Sequence, residues 1–229
     1  LLNQVSNPEI HRHLPGQALG LRKISMPASQ YALGNLPATA SPEFRDTGIP
    51  GNKAIWVGIF AEMTEFALMF FVYFIARAHH PEAFHQGPAK LWTLAGIVNT
   101  LVMLTSSFMV ASALHAIRAD RARAALTWLV LALVTALGYP IMKVLEFRWN
   151  LARGLDGGGD VFQLAYYYLT FNHLVHVSWG LLGMAWILAR LATGAYSASN
   201  HRGMVAFASY WHATDLIWLM IFPLFYVLP

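Results

Sequence analysis

Residues 54–76 read AIWVGIFAEMTEFALMFFVYFIA. As a helix rising about 1.5 Å per residue, this run is long enough to cross about 30 Å of hydrocarbon. Its only charged residues are Glu62 and Glu65, three apart and so on one helical face. Four more runs of similar length follow, at residues 91–117, 124–147, 162–189 and 204–228. Between them lie boundary signals: His79-His80-Pro81, the basic cluster Arg118, Arg121 and Arg123, the Gly157-Gly158-Gly159 turn, and Asn200-His201-Arg202-Gly203. Trp56, Trp92, Trp149 and Tyr226 fall near run ends, where amphipathic rings favour the interface. Backbone in lipid must satisfy its own hydrogen bonds, and helices do so within each segment. The ~10-residue alternating strands of a membrane barrel are absent from the pattern. The expected fold is all-α, a polytopic bundle of five transmembrane helices.

Composition agrees. Of 229 residues, 57% are hydrophobic and 11% are Asp, Glu, Lys or Arg, against about 25% charged in soluble domains. The mean hydropathy is +0.47. The formal charge of +4 is spread between apolar runs rather than gathered into a nucleic-acid-binding patch. With no Cys, disulfides, thiolate metal sites and a cysteine nucleophile are excluded.

Residues 1–53 differ from the rest. They are rich in Pro, Gly, Ser and Asn and carry five basic residues. They lack the charged start, apolar centre and small-residue cleavage site of a secretory signal. We expect a polar extension on the cytoplasmic face, followed by a membrane domain over residues 54–229. Basic residues set the orientation. With the N-terminus inside, Arg12, Arg22, Lys23, Arg45, Lys53, Arg118, Arg121, Arg123, Arg190 and Arg202 lie on that side, and Arg77, Lys90, Arg148 and Arg153 on the other. Ten against four places the N-terminus in the cytoplasm and the C-terminus outside.

Ionisable groups inside such spans need protein or water around them. They come in pairs at helical spacing: Glu62 with Glu65, Lys143 with Glu146, His173 with His176, His212 with Asp215. Three roles compete. The groups can fix packing by hydrogen bonds between helices, Lys143 and Glu146 as an ion pair. They can hold and relay protons, for which Glu62 and Glu65 are the foremost candidates. They can bind metal, although di-iron bundles use Glu-x-x-His on paired helices and this chain offers Glu-x-x-Glu and His-x-x-His. His115 reads as an interfacial residue and Tyr166-Tyr167-Tyr168 as packing. No Gly-rich phosphate loop and no Ser-His-Asp arrangement is present.

In chain order, the motifs are Ala61-Glu62 followed by Phe66; Asn99-Thr100, Ser106-Ser107 and His115; Glu146-Phe147; His173 and His176; and Trp211-His212, Asp215 and Trp218. Together they resemble the subunit III family of haem–copper respiratory oxidases, across essentially all five spans. The last motif is the most specific. The chain departs from the family at Asn172 and Leu174, where Gly usually flanks the first His, and at Glu65, where an apolar or aromatic residue is usual. Larger members have seven helices; this chain resembles the five-helix form.

The resemblance implies a subunit of an oxidoreductase complex without a redox centre of its own. It would pack against catalytic subunit I, which holds haem and copper, alongside other subunits, with phospholipid bound in a cleft between helices. It would also support proton uptake during oxygen reduction. Glu62 then carries over as the embedded carboxylate, and Glu146, His173, His176, His212 and Asp215 as the polar packing set. Two readings stay open beside it: an accessory subunit of a nitric oxide reductase complex, and an intramembrane metalloenzyme using Glu62, Glu65, His173, His176 and His212.

Overall fold

In the computed structural model the described residues are 53–228. The extension expected over residues 1–53 lies outside them, apart from Lys53, which opens the first helix. Helix α1 covers Lys53–His79. A short α2 (Pro81–Gln86) and a 3₁₀ turn (Pro88–Lys90) lead to α3 (Thr93–Arg118). Then come α4 (Ala122–Ala136), α5 (Gly138–Ala152), α6 (Val161–Ala192) and α7 (Arg202–Tyr226). Five spans are long and apolar enough to cross a membrane, the third being α4 and α5 together. No strand occurs among the described residues. The five-helix expectation holds, with one refinement in the third span.

That span is broken. Pro140 has no N–H for the carbonyl one turn earlier, and its ring crowds that carbonyl. Leu137 keeps helical dihedrals (φ −61°, ψ −21°), so the chain kinks rather than turns. The Ile141 N–H reaches the Leu137 carbonyl only at 3.5 Å. The kink is attributable to Pro140 beside Gly138, not to general softness.

Three helices end alike. At the end of α3 the Asp120 N–H bonds the Ile117 carbonyl and the Arg121 N–H the Ala116 carbonyl, both at 3.0 Å. This Schellman closure requires a left-handed residue, supplied by Asp120 at φ +56°. Gly154 (φ +78°) and Gly194 (φ +75°) play the same part after α5 and α6. At the other end of α6, Asp160 is a side-chain cap: its Oδ1 accepts from the Gln163 N–H at 2.8 Å. Lys90 bridges its Oδ2 at 3.2 Å.

The interior is largely apolar, and the polar side chains of the spans are gathered on a few of its faces. On α5 the buried face is Tyr139, Lys143, Glu146 and Asn150; on α6 it includes Gln163, Tyr166, Thr170 and His173. The outward faces carry Phe60, Phe71, Leu101, Phe108, Val134, Ile141, Leu164, Trp179 and Trp186. Helix α7 lies at the centre, with 56% of its most apolar window buried against 28–39% for the other four spans. It packs on α1, α3 and α6, while α4 packs on α3 and α6. Small residues at Ala125, Ala132 and Ala136, with Ala113 and Ala116 opposite, let α3 and α4 approach closely. Tyr73 of α1 donates to the Leu224 carbonyl at 2.8 Å, meeting one of the carbonyls left open at the end of α7. Of the rings expected at the interface, Trp92 and Trp149 stack on each other at 5.7 Å. Tyr226 instead is buried, because its hydroxyl has a partner inside the bundle.

Asp160 supplies a measurable test. Partial burial works against its charge, but the Gln163 N–H and the Lys90 ammonium outweigh that and hold the carboxyl below its ordinary range. Its contribution is therefore complete above the ordinary carboxylate pKa of about 4 and is lost as pH falls through the lowered value. Asp160→Ala should cost about 1 kcal/mol at pH 7. Asp160→Asn, which keeps the cap, should cost less and remove the acid-side dependence. Thermal unfolding in detergent between pH 7 and pH 3 checks both.

Candidate functional site

The most heavily built polar site joins α5, α6 and α7. Lys143 and Glu146 are each 0% exposed, with Nζ and Oε2 3.0 Å apart. Lys143 also donates to the Tyr226 hydroxyl at 2.8 Å. That hydroxyl donates onward to Glu146 Oε1 at 2.6 Å, and Tyr166 donates to the same oxygen at 2.7 Å. Asn150 Nδ2 donates to the Tyr166 hydroxyl at 3.3 Å. One carboxylate oxygen thus receives two phenols and the other an ammonium. The ammonium also lies 5.0–5.5 Å from the ring centres of Phe147, Tyr166, Trp218 and Tyr226, close enough for cation–π attraction. Gly96 makes room for Tyr226, since a Cβ there would stand 2.8 Å from its ring. The expected Lys143–Glu146 pair is present, and it is the centre of a clamp between three helices.

A second cluster lies where α1 meets α6 and α7. Glu62 is 4% exposed. The Thr214 hydroxyl stands 3.1 Å from both Glu62 Oε1 and the Tyr210 carbonyl, so its single proton serves one at a time. Glu62 Oε2 has no hydrogen-bond partner within 3.5 Å; the neighbouring Tyr210 hydroxyl donates instead to the His176 carbonyl at 3.1 Å. Glu65 diverges from it: its side chain is 47% exposed and turns toward α6. There Asn172 Nδ2 donates to Oε1 at 2.7 Å, and His176 Nε2 stands 3.7 Å from Oε2. His176 is oriented by its Nδ1, which donates to the Asn172 carbonyl at 3.0 Å. Two departures from the family pattern, Glu65 and Asn172, therefore hydrogen-bond to each other. Beside them a groove of about 530 Å³ runs between α1 and α6, lined by Glu65, Leu68, Met69, Val72, Leu164 and Tyr168 among others.

The two His of the His-x-x-His pair also diverge. His173 turns inward, stacked on Trp218 at 5.4 Å with the edges of Tyr139 and Phe66 against it. Neither of its nitrogens finds a protein partner. Asp215 is 6% exposed, faces Ser107 and His212, and leaves Oδ1 unpartnered. Asn99, Ser107 and Tyr139 add further unpartnered buried atoms. Buried polar atoms of this kind are where ordered internal water binds. The flanking tryptophans of the last motif pin α7 to α3: Trp211 donates to Ser106 at 3.3 Å and Trp218 to Thr100 at 3.0 Å. Among the described residues, no three His, Asp or Glu side chains converge on a metal position.

The sequence pattern described as cytochrome c oxidase subunit III matches residues 51–228. The chain belongs to that family. Relatives include a protein named heme-copper oxidase subunit I+III from Aeropyrum pernix, 27% identical over 77% of this chain, which spans only 22% of that larger protein. Cytochrome bo(3) ubiquinol oxidase subunit 3 of Pseudomonas aeruginosa is 25% identical over 80% of this chain and 87% of its own length. Cytochrome c oxidase subunit 3 of Synechocystis is 30% identical over 79% and 78%. The five membrane spans and these relatives establish a multi-pass membrane protein with a haem–copper oxidase subunit III role.

For this subunit III the sequence reading missed Tyr166, Tyr226, Asn150, Thr214 and Asn172 as members of the polar sites. In the sequence alone Tyr166 reads as packing, one ring of Tyr166-Tyr167-Tyr168. Its register with Gln163, Thr170 and His173, one inward stripe of α6, was the available signal. The clamp predicts strong coupling. Lys143→Met or Glu146→Gln alone should destabilise the protein by about 3–5 kcal/mol, because each strands the other partner in the bundle. Lys143→Met combined with Glu146→Gln should cost much less than the two single losses summed. Thermal stability of the four forms in detergent checks this, and simple additivity would remove the clamp.

Proposed function

We propose that this chain is the non-catalytic subunit III of a haem–copper terminal oxidase. It stabilises catalytic subunit I and supports proton uptake into that partner while oxygen is reduced. Haem and copper belong to the partner. The relative whose name gives subunits I and III in one polypeptide supports direct packing of this fold on a subunit I. The excess of basic residues on the N-terminal side supports an N-terminal extension on the cytoplasmic face, the side from which protons would be taken up in a bacterial inner membrane.

Glu62 carries the proton-handling part. Its Oε2 is left without a hydrogen-bond partner, so it is the atom open to a proton or a bridging water. Its Oε1 accepts from the Thr214 hydroxyl in either state, because a proton on Oε2 leaves Oε1 a carbonyl acceptor. The site therefore accommodates both protonation states without moving a helix. Glu146, Lys143, His173, His176, His212 and Asp215 serve packing. The groove between α1 and α6, apolar with Glu65 at its border, takes a phospholipid acyl chain.

Purification of the intact complex tests the assignment, since its visible spectrum reports the partner's haems. Consumption of oxygen supports the oxidase; consumption of nitric oxide alone would move the chain to a reductase complex. Stoichiometric iron on the isolated chain would instead support the metalloenzyme. Glu62→Gln keeps shape and hydrogen-bonding capacity, so assembly should survive. Turnover or pumping should fall at high pH, where proton supply limits. Activity unchanged across pH would leave Glu62 with packing alone.

A further inference from the structure

A second groove, distinct from the one beside Glu65, opens where α3 meets α4. It holds about 400 Å³ and is lined by Phe108, Ala111, His115, Arg121, Ala124 and Trp128 among others. Its construction is graded. Phe108 is 65% exposed, and its ring meets the Trp128 ring edge-on at 6.2 Å, forming the deep end. His115 and Arg121 are exposed at the mouth. Each lies seven residues from its aromatic counterpart, so the groove descends about 10 Å from the helix ends into the apolar layer. Ala111 and Ala124 leave the space between. The mouth is fixed rather than loose, because Arg121 is the residue whose N–H closes the Schellman turn on the Ala116 carbonyl.

Charge decides what fits. Arg121 lines the mouth; Arg118 and Arg123 flank the same turn outside the lining, and the end of α6 and the start of α7 bring Arg190 and Arg202 to the same membrane side. Asp120 is the only acid on that side among the described residues; the other side carries Glu82, Asp156 and Asp160. A guanidinium can hold a phosphate through two parallel hydrogen bonds, an imidazole can add a third, and an indole is at home beneath a headgroup. A neutral helix from another protein would use the apolar wall but leave the basic mouth without a counter-charge.

We propose that this groove binds an anionic diacyl phospholipid, its phosphate held by Arg121 and His115 and one acyl chain lying over Ala111 and Ala124 against Phe108 and Trp128. Basic pockets between membrane helices commonly select anionic headgroups in this way. The site does not depend on the proton-handling role of Glu62, and its test reads lipid rather than turnover.

The intact purified complex is delipidated, then titrated with phosphatidylglycerol or phosphatidylcholine, and bound lipid is counted by native mass spectrometry. Arg121→Gln should weaken phosphatidylglycerol binding about fivefold, His115→Leu should weaken it by less, and both should leave phosphatidylcholine unchanged. Ala111→Phe, which fills the groove from an exposed position, should abolish that binding while the complex stays assembled. Arg123→Gln, outside the lining, should retain it. A photo-crosslinker at position 111 should capture lipid. Equal binding of the two lipids, an unchanged count in Ala111→Phe, or capture of a partner subunit by the crosslinker would each overturn the proposal.

Discussion

An ammonium and a carboxylate placed in the oily centre of a bundle are tolerable only if they pair and further hydrogen bonds support the pair. Lys143 and Glu146 meet that condition through Tyr166, Tyr226 and Asn150, and the condition dictates the rest. It brings α5, α6 and α7 into one register, requires Gly96 on α3 to leave space for the Tyr226 ring, and draws that tyrosine inward although it ends a span. Hydrophobic burial cannot choose this register, because lipid tails are as apolar as leucine. Polar satisfaction does.

The same reasoning separates what was legible in the sequence from what was not. The spans were legible because a run such as residues 54–76 has no alternative home. Glu62 was legible because an acid in such a run demands a protein neighbour. Pairing by spacing was less informative. Glu62 and Glu65 are three apart, yet one turns to Thr214 on α7 and the other to Asn172 on α6. His173 and His176 divide in the same manner between an aromatic stack and a carboxylate. Spacing along one helix gives the side, whereas the partner depends on which helix lies there. Tyr166, Tyr226 and Thr214 escaped for that reason: neutral hydroxyls leave no charge to be explained.

The third span shows a similar limit. Its hydropathy is continuous, and only Gly138 and Pro140 mark that it consists of two helices. The kink falls one turn before Lys143, between the stretch that packs tightly on α3 through Ala125, Ala132 and Ala136 and the stretch that carries the clamp. Two kinds of interface, small-residue contact and polar satisfaction, are thus served by one crossing of the membrane.

The closure at Asp120 also bears on how the protein enters the bilayer. Only Ala119, Asp120 and Arg121 separate α3 from α4, and Arg118 and Arg123 flank them. Translocating that tip would carry three guanidinium groups through hydrocarbon, at about 2.5–3.5 kcal/mol each on the insertion scale. Holding the tip on one side avoids that cost, and the chain running out through α3 returns through α4 from the same turn.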